Sequence, residues 1–514
     1  MQKKDKRLIP TYILTGYIFL MFCIYPFYYE NGYYNIGIAK NNFFTVVSIV
    51  SFAFALIAVG VYIYDAKKRN RSFIEKRNVS ITQKLLLAYM SVVFVSFVFA
   101  EYKEEVLWGS EGWYLGTIPL LLLSALSLIT AHFWKEQRWI LYGSMVVSGI
   151  VLFLGICNRF SFYPIAIEPP YPTFISTLGN INWFCGYMSV VSPIGIVLFL
   201  LNENKEDKRR WSKWLMALYV LISFMAGFCQ GSSSVFLWNA ALFAALLWIA
   251  VRNTSRLKSW LLTVGLWGIA GQLVRVLKYL FPDYYNYDSA IFVDTNITLV
   301  IAVGALIAFA GVIVFVKEDK EFGLRFQKGC RISLVSAVVL SIVLWITVAV
   351  YNTNVGIPSL AESELFLLDE NWGNGRGASL KTAFVLFGEM SFIQKIVGVG
   401  ADGFSVFAYS FPEVQEYLTA FFGESILTNA HCEVVTNLIN LGVLGAGLYI
   451  AVLFSFVYRA MKNGEKQPVL YVFAVCVICY FVNNLISFAQ ILNIPFLFLL
   501  LGMGEYYLKD ENKR

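Results

Sequence analysis

Apolar stretches of about 20 residues follow one another along the whole chain, and short polar segments separate them. A stretch of this length is typical of a helix that crosses roughly 30 Å of hydrocarbon. Apolar and polar residues do not alternate within the stretches, as they would in the strands of a membrane barrel. The pattern therefore predicts an all-α, polytopic integral membrane protein with about 14 transmembrane helices. Their predicted limits are 10–29, 43–65, 84–100, 114–132, 139–157, 183–201, 213–230, 234–251, 259–281, 296–316, 332–351, 434–458, 468–487 and 489–507.

The composition indicates the same class of protein. Hydrophobic residues make up 58% of the chain and charged residues only 14%, which is too little charge for the surface of a soluble protein of this size. The first apolar stretch follows MQKKDKR and has no small-residue cleavage site, so we expect a retained helix and not a signal peptide. We expect residues 1–514 to form a single membrane domain.

The basic residues indicate the side of the membrane on which each connection lies. Most of the 40 lysines and arginines fall in alternate connections, which begin with KKDKR near the N-terminus and end with KDENKR at the C-terminus. Basic connections remain in the cytoplasm, so both termini are predicted to be cytoplasmic. These connections and anionic lipid account for the net charge of +7, and we expect membrane lipid but no nucleic acid as a partner.

Two of the predicted outer connections are long, 158–181 and 352–433. The second lies between the eleventh and twelfth spans and, at about 80 residues, is too long for a bare connection. We expect it to form a large, partly helical extracytoplasmic loop. The segment LKTAFVLFGEMSFIQKIV should be helical, with an apolar face on the membrane surface or against the helix ends. The apolar positions near helical spacing are Phe384, Leu386, Phe387, Ile393 and Val397.

Two residues of this loop are candidates for chemistry. His431, one of only two histidines, precedes a long apolar stretch, and its ordinary pKa of about 6.5 lets it accept a proton at neutral pH. Glu433 either orients it or simply begins the next helix. Arg376 lies between glycines in NWGNGRGASLKTAF, where it could bind phosphate oxygens with two donors. The alternatives are a histidine that only bonds to a neighbour at a helix start and a solvated loop arginine.

Three further cations are predicted on the outer side. Arg275 and Lys278, in GQLVRVLKYLF, lie three positions apart on one helix face near the outer end of the ninth span. A charge within a span costs about 2.5–3.5 kcal/mol, so the pair either extends to the headgroups or binds phosphate. Arg159, in NRFSFYP, allows the same two interpretations.

Other motifs are weak. GVGADG, residues 398–403, matches G-x-G-x-x-G but follows no strand of a βαβ unit, so we interpret it as a tight turn and expect no cofactor. The chain has no Walker loop, zinc-ligand spacing or G-x-S-x-G, and we expect no metal. The acidic segment 101–112 is either a solvated loop or a carboxylate site for a hard cation.

Four segments, taken in order, carry a resemblance to a known family. They are STLGNINWFCGYMSVVSPIG, GRGASLKTAFVLF, VGVGADGFSVFAYSF and NAHCEVVTNLINLGVLGAGLYIAVLF. The order resembles that of the O-antigen ligase and polymerase superfamily, which has a G-N-x-N segment, a G-R helix, a G-x-G turn and a histidine before a glycine-containing helix. Gly179, Asn180, Asn182 and Tyr187 match the first segment, and His431-Cys432 stands where the family usually has His-Asn. The resemblance is clearest over 175–250 and 370–460.

One departure concerns a middle span, where the family often carries Ser-Arg. The corresponding segment here is FCQGSSSVFLW, with Ser232 and Ser233 in place of the arginine. If that arginine meets the donor's diphosphate, Arg159, Arg275 or Lys278 would have to replace it.

The resemblance implies a glycosyltransferase on the outer face of the bacterial cytoplasmic membrane. It would transfer a glycan from undecaprenyl diphosphate to a glycan hydroxyl, as a polysaccharide polymerase or a ligase, by metal-independent inverting displacement. His431 would be the base, and Arg376 would stabilise the leaving diphosphate. Other polysaccharide-assembly proteins are implied as partners. The implied substrate-binding candidates are Arg159, Asn180, Asn182, Arg275, Lys278, Gly398 and Gly400.

Three other classes remain open. A transporter or flippase for polysaccharide or lipid-linked glycan would place its site near the bilayer midplane, with buried charges and broken helices. A peptidoglycan-polymerising membrane protein would use the same lipid carrier with an acidic residue in its outer loop. A protein O-glycosyl ligase of the same superfamily would differ only in its acceptor.

Overall fold

The computed structural model describes residues 8–68, 79–202, 210–286, 292–317, 320–361, 363 and 365–510. Within these ranges the chain is almost entirely helical and has 19 α-helices and one short hairpin, β1 (Phe174–Ile175) with β2 (Gly179–Asn180). The helices are α1 (Leu8–Phe19), α2 (Ile36–Lys68), α3 (Ile81–Phe99), α4 (Lys103–Trp108), α5 (Thr117–Phe133), α6 (Arg138–Arg159), α7 (Ile181–Leu201), α8 (Arg210–Cys229), α9 (Ser234–Ala250), α10 (Thr254–Leu280), α11 (Ile297–Phe315), α12 (Leu324–Val355), α13 (Trp372–Glu389), α14 (Phe392–Val397), α15 (Phe404–Ala408), α16 (Pro412–Phe422), α17 (Glu433–Asn463), α18 (Val469–Asn483) and α19 (Ile494–Asp510).

Ten helical segments among the described residues are long and apolar enough to cross a membrane. They include α1 with its continuation to Phe27 and helices α2, α3, α6, α7, α8, α10, α11, α12 and α17; α5, α9 and α18 are shorter apolar helices. The protein is therefore an all-helical, multi-pass membrane protein. Every predicted span overlaps one helix, but the count of about 14 crossings stays a prediction. So do the cytoplasmic termini, because 1–7 and 511–514 lie outside the described residues, as do 69–78 and 203–209 of the basic connections.

Helices α7 and α18 form the centre of the bundle. In α7, 89% of the most apolar window is buried, and α8, α9, α17 and α19 pack around α7 and α18. In α12 the corresponding share is only 6%, and its packing partner in the bundle is α9. Apolar side chains that face outward on such peripheral helices are suited to contact with lipid tails.

Each end of the bundle is held by its own polar contacts. At one end, which we call the loop end, Lys40 donates to the carbonyl oxygens of Tyr25 and Pro26 (2.6 and 3.0 Å) and neutralises the end of the first helix. At the opposite end, Arg256 pairs with Glu465 at 3.0 Å, and Arg459 pairs with the buried Glu505.

Residues 365–432 at the loop end form α13 to α16, which enclose a hydrophobic cluster of their own. This connection therefore contains helices, and its extracytoplasmic position stays a prediction. The predicted single apolar face is wrong in part, because Leu386 is buried in the cluster whereas Phe384 is 61% exposed. The two positions are about 200° apart around a helix, so they cannot share a face.

Candidate functional site

The turn before Arg376 determines where its side chain points. Gly373, Asn374 and Gly375 all have left-handed backbone conformations, with φ of 60°, 62° and 85°, and regular helix begins only after them. Glycine adopts this conformation without the penalty of a Cβ, which explains the two glycines on the N-terminal side of the arginine. Arg376 folds back over the turn, where Nη1 donates to the carbonyl of Gly373 (2.7 Å) and Nε donates to the carbonyl of Ile486 (2.8 Å).

His431 also lies on a strained turn, with φ of +51°. Its backbone N–H donates to Asn429 Oδ1 at 2.9 Å, and its ring meets Phe488 edge-on at a centroid distance of 5.5 Å. Nδ1 lies 3.4 Å from Ser379 Oγ. A non-glycine residue in this conformation costs on the order of 1 kcal/mol and is held there only by its surroundings.

The hydrogen bond of Ser379 selects the tautomer of His431. The Ser379 hydroxyl donates its single proton to the carbonyl of Gly375 at 3.0 Å, so its oxygen can only accept from the imidazole. This geometry favours a proton on Nδ1 and leaves Nε2 with the basic lone pair. Nε2 makes no hydrogen bond within the described residues.

These contacts bring the two candidates into one site. Ser379 follows Arg376 by three positions and so lies on the same face of α13, one turn away. Ile486 and Phe488, which contact Arg376 and His431 respectively, are two positions apart in the chain.

Burial, and next the positive charge of Arg376, lower the pKa of His431 to about 4. The imidazole is therefore neutral at pH 7, and burial also lowers the pKa of Arg376.

The start of α7 connects to this site through aromatic rings. Trp183 packs on Trp113 at 6.2 Å, and Trp113 packs on Phe488 at 4.4 Å, which in turn contacts His431. Asn180 caps α7 because its Oδ1 accepts from the backbone N–H of Asn182 at 2.8 Å. The G-N-x-N segment thus shapes the wall beside the site, and its Asn180 has a structural task of its own.

Buried polar groups lead from Arg376 into the bundle. Arg376 and Cys185 lie close enough to interact electrostatically. The Cys185 thiol contacts Ser234 Oγ at 3.1 Å and Asn483 Oδ1 at 3.5 Å, and Ser234 Oγ lies 2.9 Å from Ser232 Oγ. These contacts link Arg376, through Cys185, to the segment that contains Ser232 and Ser234.

Glu433 belongs to the helix packing and not to the imidazole. Its carboxylate accepts from Tyr449 (2.8 Å), Tyr480 (3.2 Å) and Asn484 (2.9 Å), and it is 4% exposed. No hydrogen bond joins it to His431 within the described part of the chain. It holds the start of α17 against α18, which keeps the His431 turn in place.

Arg159 is fully buried and is not exposed to a ligand. Its guanidinium donates to the carbonyls of Cys229, Pro172 and Gln230 (2.5, 2.8 and 3.1 Å) and to Asn286 Oδ1 (3.0 Å). These contacts tie the end of α6 to the end of α8 and to the segment after α10, which is a structural role.

Arg275 and Lys278 lie on the α10–α11 side of the bundle. Arg275 donates to Asn296 Oδ1 at 2.9 Å, and Lys278 pairs with Asp294 at 2.7 Å and lies over the ring of Tyr285. No contact among the described residues joins either of them to His431 or Arg376.

The GVGADG turn packs on the kinked start of α17. Gly400 N–H donates to the carbonyl of Asn440 at 3.0 Å, and a Cβ at Gly398 would lie 2.1 Å from that same carbonyl oxygen. Gly398 and Gly400, with φ of 85° and 115°, therefore allow the backbone of this turn to pack closely on α17.

Asp402 of the same turn is buried and accepts from the backbone N–H groups of Ser110 and Leu115. Burial raises the pKa of Asp402 to about 7.

The described residues contain no group of three or more His, Cys, Asp or Glu side chains that could hold a metal ion. In the acidic segment, Glu101, Glu104, Glu105 and Glu111 are exposed.

A cavity of about 40 Å³ lies next to the site, lined by Asn429 and Phe488 among others. Ligand pockets are about 300–1,000 Å³, so this cavity is too small to be a ligand pocket by itself.

The chain matches no family model and no curated protein.

The sequence interpretation missed Ser379, Asn429 and Phe488. Ser379 could have been found, because position i+3 of a helix that starts at Arg376 lies on the same face. Phe488 and Asn429 had no such signal, since Phe488 is about 57 positions from His431 along the chain and Asn429 acts through a local turn.

Proposed function

We propose that the protein is a membrane glycosyltransferase that transfers a glycan from a polyprenyl diphosphate to an acceptor hydroxyl at the outer face of the membrane. One observation carries the proposal. A neutral imidazole with a basic Nε2 and a guanidinium lie in one site, where a folded polar segment meets an apolar helix bundle. A lipid-anchored donor and a hydrophilic acceptor can meet at such a boundary.

In the proposed reaction, His431 Nε2 takes the proton of the acceptor hydroxyl. The oxygen attacks the anomeric carbon from the face opposite the diphosphate, and the bond between that carbon and the diphosphate oxygen breaks. Its electron pair leaves with the polyprenyl diphosphate, so the anomeric configuration inverts. No general acid is needed because the diphosphate is already a good leaving group, and a fixed cation that stabilises its growing charge lowers the barrier.

Arg376 is suited to that task. Nε and Nη1 hold the guanidinium in place through two carbonyls, while Nη2 makes no hydrogen bond within the described residues and can donate to a phosphate oxygen. Arg376 also lies near Cys185, which contacts the Ser232–Ser234 segment where the family has its arginine, and this position supports a replacement of that arginine by Arg376. In this proposal, Arg376 itself does what the family's missing middle arginine would do.

We expect the negative charge of the bound donor to make His431 a stronger base. Burial, and next the charge of Arg376, lower the pKa of His431, which makes the imidazole a weak base when no donor is bound. A bound diphosphate would offset the positive charge of Arg376 and raise the pKa of His431 toward the neutral range. The base would then be strong only when the donor is present, which protects the site from unproductive protonation.

The poor packing of α12 supports a lipid-linked donor. The second half of α12 packs near the site, because the ring of Trp345 lies 6.3 Å from that of Trp372, four positions before Arg376. Since only 6% of its apolar window is buried, the membrane beside it is open to a polyprenyl tail while the diphosphate reaches Arg376.

The test is direct. The purified protein is incubated in detergent with a synthetic polyprenyl-diphosphate glycan, and the products are separated by mass. A transferase releases polyprenyl diphosphate and forms either a longer glycan or a capped acceptor, which also separates polymerase from ligase. A transporter or flippase leaves the donor's sugar–diphosphate bond intact. Intact donor under all acceptor conditions, with protein that is folded by size-exclusion chromatography, would contradict the proposal.

A further inference from the structure

A groove lies between α9 and α12, at the end of α12 that is far from the His431 site. It has a volume of about 490 Å³, and its lining includes Trp248 of α9 together with residues of the first four turns of α12. This volume falls within the range of small-molecule sites.

The lining residues of α12 share one face. Lys328, Arg331, Ile332 and Val335 are separated by three, four and seven positions from the first, which is the spacing of neighbours on a helix. Two basic side chains therefore lie toward the start of the helix, and two apolar ones follow toward its middle.

The basic part of the groove has hydrogen-bond donors available. Arg331 lies over the Trp248 ring at 5.0 Å, and its Nε and Nη2 approach the Trp248 carbonyl at 3.3 Å. Its Nη1 makes no hydrogen bond within the described residues, and the exposed Lys328 has no hydrogen-bond or ion-pair partner among them. The ring of Trp248 fixes the guanidinium without neutralising it.

The apolar part is exposed although it belongs to a membrane-spanning helix. Ile332 is 56% and Val335 is 51% exposed. Tryptophan is enriched at the level of lipid headgroups, which sets the basic residues at headgroup depth and the apolar pair in the hydrocarbon. Positive charge at headgroup depth and apolar surface in the hydrocarbon match a molecule with an anionic head and a hydrocarbon tail.

We infer that this groove binds one anionic phospholipid, with its phosphate against Lys328 and Arg331 and an acyl chain along Ile332 and Val335. The lipid fills the space between α9 and the poorly packed α12 and holds α12 against the bundle. The positive-inside expectation for this basic connection assigns the lipid to the cytoplasmic leaflet. The inference does not depend on the proposed transferase activity.

Trp248 serves as the reporter in the experiment that tests this. The full-length protein is reconstituted in nanodiscs of phosphatidylcholine with a low, fixed fraction of either brominated phosphatidylglycerol or brominated phosphatidylcholine, which quench tryptophan fluorescence on contact. The Trp248→Phe protein is measured in parallel, and the difference gives the quenching of Trp248 alone. We expect the anionic lipid to quench Trp248 more strongly than the zwitterionic lipid at the same fraction.

The Lys328→Gln/Arg331→Gln variant should lose this preference by on the order of tenfold, since each basic residue near a surface favours anionic lipid. The matched control is Lys67→Gln/Lys68→Gln, which removes the same charge at exposed positions at the end of α2 and should keep the preference. Equal quenching by the two lipids in the wild-type protein would overturn the inference, even if a variant fails to fold. A preference that persists in the Lys328/Arg331 variant would overturn it as well.

Discussion

Arg376 and the three other cations predicted on the outer side differ in the groups that surround them. Arg159, Arg275 and Lys278 donate to partners within the protein, and Arg159 is buried among carbonyls. Arg376 donates through Nε and Nη1 to two carbonyls, and Nη2 makes no hydrogen bond within the described residues. Its guanidinium lies beside the imidazole of His431. The predicted side of the membrane therefore does not distinguish a binding cation from a structural one; the groups that surround the cation do.

The backbone differs between the two regions as well. Arg275 and Lys278 are part of the regular helix α10, whereas Arg376 and His431 follow or occupy left-handed turns. Strained non-glycine conformations such as those of Asn374 and His431 persist only where the surroundings impose them, and they cluster at functional sites. This contrast favours the region of Arg376 and His431 as the site of chemistry.

The largest effect is expected for His431→Ala. Loss of the base should lower glycan transfer by about 10²–10⁴-fold, with insertion and folding unchanged. Product formation from the lipid-diphosphate glycan is the measurement, and His132→Ala, at the opposite end of the bundle, is the matched control. A variant that retains more than a tenth of the activity would exclude His431 as the base.

Arg376→Lys should lower transfer by about 10²-fold, although the charge is kept. A lysine cannot hold two carbonyls and a phosphate oxygen at once, so the cation would no longer be fixed where the leaving charge develops. Arg275→Lys is the control and should stay within about twofold, since its single bond to Asn296 can be replaced. Similar losses in the two variants would remove the distinction between the regions.

Arg159→Met should reduce stability and not the activity per folded molecule. The change leaves several buried carbonyls without a donor, at about 1–3 kcal/mol each. Thermal unfolding in detergent, followed by activity of the protein that remains folded at lower temperature, separates the two effects. A stable Arg159→Met protein with weak donor binding would instead assign Arg159 to the substrate.

The pH response tests the electrostatic contact within the site. The folded-state pKa of His431, about 4, is below its ordinary value of 6.5, so the neutral form is favoured by folding. The stability linked to this group is full above pH 6.5 and is lost as the pH falls through about 4. Nitrogen-15 histidine NMR can follow this titration, with His132→Gln to assign the two signals.

Arg376→Gln should raise the pKa of His431 but leave it below 6.5, because burial is the larger cause of the shift. An unchanged titration in this variant would mean that the two side chains do not share a site in solution.

The smallest effect is expected for Lys278→Gln. Its partner Asp294 is 62% exposed, and surface ion pairs contribute about 0–1 kcal/mol. Transfer should stay within about twofold and the melting temperature within a few degrees. A large loss of donor binding would place Lys278 in the site and contradict the comparison.

Much of the fold follows from the sequence alone, because a membrane span must satisfy its backbone internally and must be apolar over a fixed length. These two requirements are local, so each predicted span falls on a helix. The sequence also singled out His431 and Arg376, since histidine is scarce here and arginine between glycines is unusual.

Tertiary structure alone decided the rest. Whether a cation keeps a donor depends on partners distant in sequence, such as Cys229 for Arg159 and Ile486 for Arg376. The contact of Ser379 with His431, which favours one tautomer, joins α13 to the turn before α17, and composition cannot show that these two segments meet. Hydropathy is a property of one segment, whereas hydrogen-bond satisfaction is a property of pairs, and only the folded chain defines the pairs.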